Sequence, residues 1–449
     1  LTSRTNIPFR RFWNLITTLP LVIPSYVGAY IFLSMMGPNG LLQKALSPIT
    51  GISQFPGLYG YTGSLLVLTF LNYPYVLLTL RSAMSQIDPS QEESARILGL
   101  GRINIFRRVS IPQIRPALLS SGLLVALYTL SDFGAVSLLR YKTFTWSIYN
   151  QYEASFDRGS AALLSVVLCL IATIFVYMES TTRGKTSYFR TSMGVARNQE
   201  RFDIGWWKIP GILLCSVVAF ISVVIPVIVL TYWLVRGISH GEKTVLNPET
   251  IVNSLLISIL TAVVVVTIIT PIAYVATRYR NVFSSLVEKA CFTGFALPSI
   301  AVAISLVFIG SYIGKPIYQS LFLLIFACVV LYLPIGISPI KSTLLQISPR
   351  LEESSSTLGK GLFNTSLAVT LPLLKPGIAM AFSLVFLVSM KELPAVLILS
   401  PLDFHTLTTT IWSYSSEAFF AKAAAPALIL ILVSSMPLAI IFFKGGFRT

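Results

Sequence analysis

Acidic side chains inside apolar stretches are the residues of this sequence whose chemistry stands out first. Asp132 lies within the apolar segment 116–139, and the Lys391–Glu392 pair lies within 376–398. Ionisable groups at membrane depth are costly and by default mark pathways for ions or protons. The chemistry they suggest is the binding or passage of a cation. Alternatively, each acid is a capped or paired residue at a helix end, with Lys391 neutralising one of them. A second acidic pattern sits in two polar loops, as Glu93 in "QIDPSQEESARILG" (86–99) and Glu353 in "QISPRLEESSSTLG" (346–359).

Other reactive residue types are arranged less suggestively. His240 and His405 stand in separate loops without ligand partners at metal-site spacing, so no metal site is expected. The four cysteines, Cys169, Cys215, Cys291 and Cys328, are far apart and inside apolar runs; neither a zinc site nor a disulfide framework follows. The segment "RGKT" (183–186) has the Gly–Lys–Thr of a phosphate loop. That loop needs a glycine five residues earlier, and Glu179 is there. The chain therefore carries no nucleotide site or cofactor of its own.

The elements that must position these residues are membrane helices. Of 449 residues, 54% are hydrophobic and 11% charged, with a mean hydropathy of +0.77. A soluble globular protein carries about 25% charged residues, so a cytosolic enzyme is excluded. A spanning helix needs about 20 mostly apolar residues. Ten stretches qualify: 12–36, 57–80, 116–139, 160–178, 209–235, 251–277, 290–312, 317–340, 376–398 and 423–443. The segment from Ala45 to Gly60, with Pro48, Gly51, Pro56 and Gly57, reads as an outer loop. Threading the spans alternately puts 24 of the 33 Lys and Arg in one set of loops and 8 in the other. Basic loops favour the cytoplasmic side. The net charge of +16 is then a topology signal rather than a nucleic-acid surface.

The two polar loops belong to an internal repeat. An offset of 260 residues relates Pro74 to Pro334, Glu93 to Glu353, Gly99 to Gly359, Pro112 to Pro372 and Asp132 to Glu392. Upstream, "IPSYVGA" (23–29) answers "LPSIAVA" (297–303) at an offset of 274. Two homologous halves in the same orientation follow, as in parallel-repeat transporters. They divide the chain into a first half at 1–178, a cytoplasmic linker at 179–208 and a second half at 209–449. By repeat symmetry, roughly 70 residues and two helices would precede Leu1, making twelve helices in the intact architecture. The same symmetry would set Asp132 and Glu392 facing each other.

Each loop holds Glu–Ser–(Ala/Ser), three residues, Gly, nine residues, then Val–x–(Ile/Leu)–Pro. The residues are Glu93, Ser94, Ala95, Gly99, Val109, Ile111 and Pro112, and again Glu353, Ser354, Ser355, Gly359, Val369, Leu371 and Pro372. A short helix from about Pro89 to Leu98 is expected, with Glu92 and Glu93 at its positive end. Gly99 permits a left-handed turn, and Pro112 and Pro116 redirect the chain into the next span.

This pattern resembles the "EAA" loop of ABC-importer permeases, with Ser for Ala once in the first copy and twice in the second, and Val for Ile. The resemblance implies an all-α polytopic membrane protein of the type I ABC-importer permease fold. It further implies that each loop is a cytoplasmic finger docking on one of two ABC ATPase subunits, and that a periplasmic binding protein delivers the substrate. Residues 130–159 and 389–424 look like the fused permeases of bacterial ferric-iron importers, in the inner membrane. Thiamine, phosphonate and polyamine permeases share much of the pattern and remain alternatives. With both halves in one chain, no homodimer is required. Asp132, Lys391 and Glu392 would then line the outer part of the translocation path. A secondary transporter would not need paired docking fingers, and a membrane-embedded enzyme would need a larger polar cluster than these three residues.

Overall fold

A computed structural model describes residues 2, 5–37, 40–50, 58–87, 89–184, 205–242, 247–279, 281–314 and 317–443. The described residues are helical almost throughout. In hydrocarbon every backbone N–H and C=O must find a partner within the protein, and a helix satisfies them inside one segment. Among the described residues, eight helical segments are long and apolar enough to cross a membrane: Tyr61–Met84, Phe106–Ser131, Arg158–Glu179, Gly205–Ser239, Pro248–Arg278, Leu321–Gln346, Phe363–Met390 and Phe420–Pro437. Counting two bent helix pairs as one span each raises the number to ten.

Those bent pairs correct the expectation of straight spans at 12–36 and 290–312. Arg10–Val22 meets Ser25–Lys44 at 93°, and Val282–Ala296 meets Ser299–Tyr312 at 104°. Both bends fall at the Pro–Ser of the repeated motif. Pro24 and Pro298 are extended (ψ 150° and 136°). A proline lacks the N–H that would continue the preceding helix and biases the residue before it away from helical angles. The expected outer loop also starts later than residue 45. Leu41–Thr50 is a helix with Pro48 in its last turn, and 51–57 lie outside the described residues.

The chain forms two compact units. The first comprises Leu1–Thr143 and Leu170–Tyr232. In it, helix Ser25–Met36 packs on Tyr61–Gln86, and Tyr61–Gln86 packs on Ile111–Ser131. Tyr75 and Tyr128 stack face to face there, ring centroids 4.5 Å apart. The second unit comprises Phe144–Cys169 and Trp233–Thr449. Its centre is a three-helix contact of Pro248–Arg278, Leu321–Gln346 and Leu371–Met390. Small residues let these backbones approach: a Cβ on Gly336 would stand 2.9 Å from Val265, and one on Gly377 would stand 2.5 Å from the Thr343 hydroxyl. The four cysteines are free, and Cys215, Cys291 and Cys328 are buried.

Three helices contain a π turn, each placed just ahead of a proline. The N–H of Ile111 bonds the Phe106 carbonyl, that of Ile225 the Phe220 carbonyl, and that of Leu371 the Ser366 carbonyl. The proline follows at 112, 226 and 372. Its ring would clash with the carbonyl four residues back, and widening the preceding turn relieves the clash without breaking the helix. Pro112 and Pro116 therefore do not redirect the chain, as the spacing alone suggests. The helix runs from Arg102 to Ser131 through a bulge, and its counterpart runs from Leu362 to Met390.

Candidate functional site

Each repeated loop folds into a finger of two helical arms. The first arms, Pro89–Ile97 and Pro349–Thr357, begin with proline at the first helical position and carry Glu92 or Glu352 in the first turn. A proline there loses no helix bond, and the acid meets the positive helix end. Both arms end in the same cap. Gly99 and Gly359 have φ of +81° and +80°. The Leu100 N–H reaches back to the Ala95 carbonyl (3.1 Å), and the Lys360 N–H to that of Ser355 (3.3 Å). This six-to-one bond with a left-handed glycine satisfies carbonyls that the helix end leaves open. A Cβ on either glycine would meet nothing within 4 Å, so backbone conformation alone demands glycine there.

The arms are held together by matched pairs 260 residues apart. In the first finger Ala95 and Ile105 are both buried. In the second, the same positions are Ser355 and Thr365, whose hydroxyls hydrogen-bond at 3.0 Å. The finger roots repeat a second contact. Ser110, in the π turn, donates to Glu92 Oε1 at 2.8 Å. Thr370, in the matching π turn, donates to Glu352 Oε1 at 3.1 Å. The π turn thus supplies the hydroxyl that the finger's inward acid accepts.

Sequence reasoning picked Glu93 and Glu353 and read Glu92 only as a helix-end charge. The structure divides the two glutamates by face. Glu92 is buried, while Glu93 and Ser94 are exposed; Glu353 and Ser354 are exposed too, with Ser355 buried. Leu98 and Leu358, each 81% exposed, stand beside the capping glycines and were also missed. The repeat carried a signal for both, because Glu92/Glu352 and Leu98/Leu358 are identical across the two copies. Each finger therefore presents an acid, a serine and a leucine outward on a rigid two-armed base. Such a surface suits docking into a protein groove and has no reactive constellation.

The second finger has a further anchor. Arg278, at the end of the Pro248–Arg278 helix, forms an ion pair with Glu352 (Nη2 to Oε1 3.0 Å, Nε to Oε2 3.1 Å). Tyr274 donates to Glu352 Oε2 at 3.2 Å, and Arg278 Nη2 also donates to the Ile347 carbonyl at 3.0 Å. Lys341 and Glu288 form a separate ion pair.

Asp132, Lys391 and Glu392 do not lie within continuous helices. The long helices end at Ser131 and Met390, and short ones resume at Gly134–Leu138 and Pro394–Leu399. At each break the acid caps the following helix. The Ala135 N–H donates to Asp132 Oδ1 at 2.9 Å, and the Ala395 N–H to Glu392 Oε1 at 3.1 Å. The serine of each unit's Pro–Ser bend lies beside its acid, Ser25 by Asp132 and Ser299 by Glu392. Tyr332 adds its hydroxyl to Glu392. Gly134 is needed for close approach, since a Cβ would stand 2.9 Å from that of Tyr26.

The remaining sequence candidates are dispersed. Imidazole Nδ1 of His240 lies 2.9 Å from the Arg236 carbonyl of its own helix, and His405 is exposed. Of the "RGKT" segment, Arg183 and Gly184 end a helix, whereas Lys185 and Thr186 lie outside the described residues. Most of the expected linker, 185–204, does as well.

A polytopic helical membrane protein with a duplicated finger and break is the architecture of a transport permease. The family model for the binding-protein-dependent transport system inner membrane component matches this chain twice, at residues 2–181 and 269–443. The chain belongs to that family, whose members are ABC-transporter permeases and not themselves catalytic. Among its relatives is an Fe(3+)-transport system permease protein of Haemophilus influenzae, 33% identical over 95% of this chain and 81% of that protein. A ferric transport system permease protein of Actinobacillus pleuropneumoniae is 24% identical over 96% of this chain, which spans 65% of it. The molybdenum transport system permease protein of Escherichia coli is 25% identical over 39% of the chain and 77% of its own length.

Proposed function

We propose that this chain is the fused, two-half transmembrane subunit of an ABC importer for ferric iron, driven by two partner ATPase subunits docked on its two fingers. The observation that carries the reading is the duplicated finger. The same cap, the same inward acid and the same outward Glu–Ser and Leu recur 260 residues apart. A single docking event would leave no reason to keep both copies alike.

The fingers face the cytoplasm in this reading, because the loop set that contains them holds 24 of the 33 basic residues. The membrane is the bacterial inner membrane, and a periplasmic binding protein delivers the substrate from the other side. Residues 1–178 and 209–449 act as the two permease halves, with 179–208 linking them on the cytoplasmic side. Glu93, Ser94, Gly99 and Leu98, with Glu353, Ser354, Gly359 and Leu358, meet the ATPases. Ala95 and Ser355, with Pro112 and Pro372, hold the finger's shape. Asp132, Lys391 and Glu392 border the translocation path at the helix breaks.

Ferric iron is favoured by two relatives that match nearly the whole chain and are named for iron, while a third that matches 97% of it is named only as a probable ABC transporter permease. The relatives named for molybdenum and sulfate match about two fifths of it or less. Hard oxygen groups also suit a ferric ion, and the path acids and Tyr332 are of that type. The test is uptake by the reconstituted complex with its binding protein in proteoliposomes. ATP-dependent accumulation of radioactive iron is expected. Accumulation of molybdate or an organic solute, with none of iron, sinks the assignment.

A further inference from the structure

Glu352 is held from outside its own finger as well as from within it. In the first finger, the equivalent Glu92 is tied to the second arm by Ser110. Thr370 makes that same tie in the second finger. Beyond it, Glu352 accepts from Nε and Nη2 of the Arg278 guanidinium and from the Tyr274 hydroxyl, and both residues belong to the Pro248–Arg278 helix. Arg278 extends the connection to the Ile347 carbonyl, just past the Leu321–Gln346 helix. Arg278 and Glu352 are only 11% and 12% exposed.

Three apolar helices of the second unit therefore converge on the Arg278–Glu352 pair. Pro248–Arg278 reaches it through Tyr274 and Arg278, Leu321–Gln346 through the Ile347 carbonyl, and Leu371–Met390 through Thr370 in the π turn before it. These are the same three helices that form the centre of the unit. A two-point guanidinium–carboxylate pair is directional as well as strong, so it transmits rotation and not only approach. Removing one partner leaves a buried charge without its counter-ion. Displacing the finger relative to these helices would expose the same cost.

We propose that the Arg278–Glu352 pair, with Tyr274, is the coupling joint of the second finger: it turns finger displacement into movement of the Pro248–Arg278 helix. The inference rests on the reading of the fingers as ATPase-docking elements. Arg278 and Tyr274 are positioning residues, touching neither substrate nor ATPase. The joint predicts uncoupling rather than loss of assembly.

The experiment uses the full chain with its ATPase subunits in proteoliposomes, with substrate-loaded binding protein, and reads ATP hydrolysis and substrate uptake together. In Arg278→Gln, the ATPases still co-purify and hydrolyse ATP, and uptake per ATP falls by about tenfold, inside the roughly 5–150-fold range of coupling between sites. Arg278→Lys keeps the charge and recovers part of the loss. Tyr274→Phe, which removes one donor and is the gentler change should Arg278→Gln fold poorly, shifts the same ratio by a smaller factor. An unchanged ratio in Arg278→Gln and Tyr274→Phe overturns the proposal, whether or not both rates fall together. Loss of ATPase co-purification in Arg278→Gln overturns it too, since the pair would then only hold the docking surface. Failure of the docking reading itself shows elsewhere: Gly99→Val with Gly359→Val would leave co-purification intact.

Discussion

Ser110 and Glu92 are 18 residues apart in sequence and joined by a 2.8 Å hydrogen bond that pins the two arms of the first finger. The serine reaches the carboxylate from the π turn that precedes Pro112. The second finger repeats the arrangement with Thr370 and Glu352, where Arg278 and Tyr274 also donate to the acid.

Both hydroxyls donate to the inward acid of their finger, and hydrogen bonds to charged groups contribute about 1.5–3 kcal/mol. Ser110→Ala and Thr370→Val should each lower the thermal midpoint of the detergent-solubilised complex. A midpoint unchanged in either variant would contradict the tie between the two arms of that finger.

Gly99 and Gly359 are required for their positive φ and not for space. Asparagine tolerates that conformation, whereas a β-branched residue there is an outlier. Gly99→Asn should keep ATPase co-purification near the parent level. Gly99→Val should reduce it strongly, with the membrane helices still folded by circular dichroism. The reverse order, or no difference, would mean that the left-handed cap is dispensable.

Pro112→Ala removes the ring that the π turn accommodates and restores an N–H. A regular α-helix then becomes available, and losing the extra residue of the bulge rotates the second arm by about 100° against Ser110. Uptake should fall although the substitution adds a backbone donor. Ser110→Ala should then add little to the loss of thermal stability already caused by Pro112→Ala, since the contact it removes is gone. Fully additive losses would show that the bulge is independent of the proline.

The break acids separate charge from capping. Asn is as good a cap as Asp, so Asp132→Asn combined with Glu392→Gln removes both charges with little change in stability. Iron uptake should drop with the thermal midpoint nearly constant. Asp132→Ala also removes the bond to the Ala135 N–H and should destabilise by about 1 kcal/mol. Unchanged uptake in the double variant would leave the two acids as caps alone.

Much of this protein is legible without coordinates. The apolar runs, the two halves, the finger spacing and the glycine that ends each first arm all follow from local pattern and from self-comparison. Local signals of this kind survive because they depend on the chain's own backbone: about 20 apolar residues must be helical in lipid, and a helix needs a particular residue to turn left-handed at its end.

Tertiary structure decided what those patterns leave open. Two adjacent glutamates on a nine-residue helix lie about 100° apart, and which one turns inward depends on a hydroxyl 18 residues away. Asp132 and Glu392 cap the helices that follow their breaks, and Glu392 also meets the Tyr332 hydroxyl, 60 residues away in sequence. The Arg278–Glu352 joint spans 74 residues. No periodicity or spacing encodes it, since only packing brings the end of one membrane helix to the root of a finger.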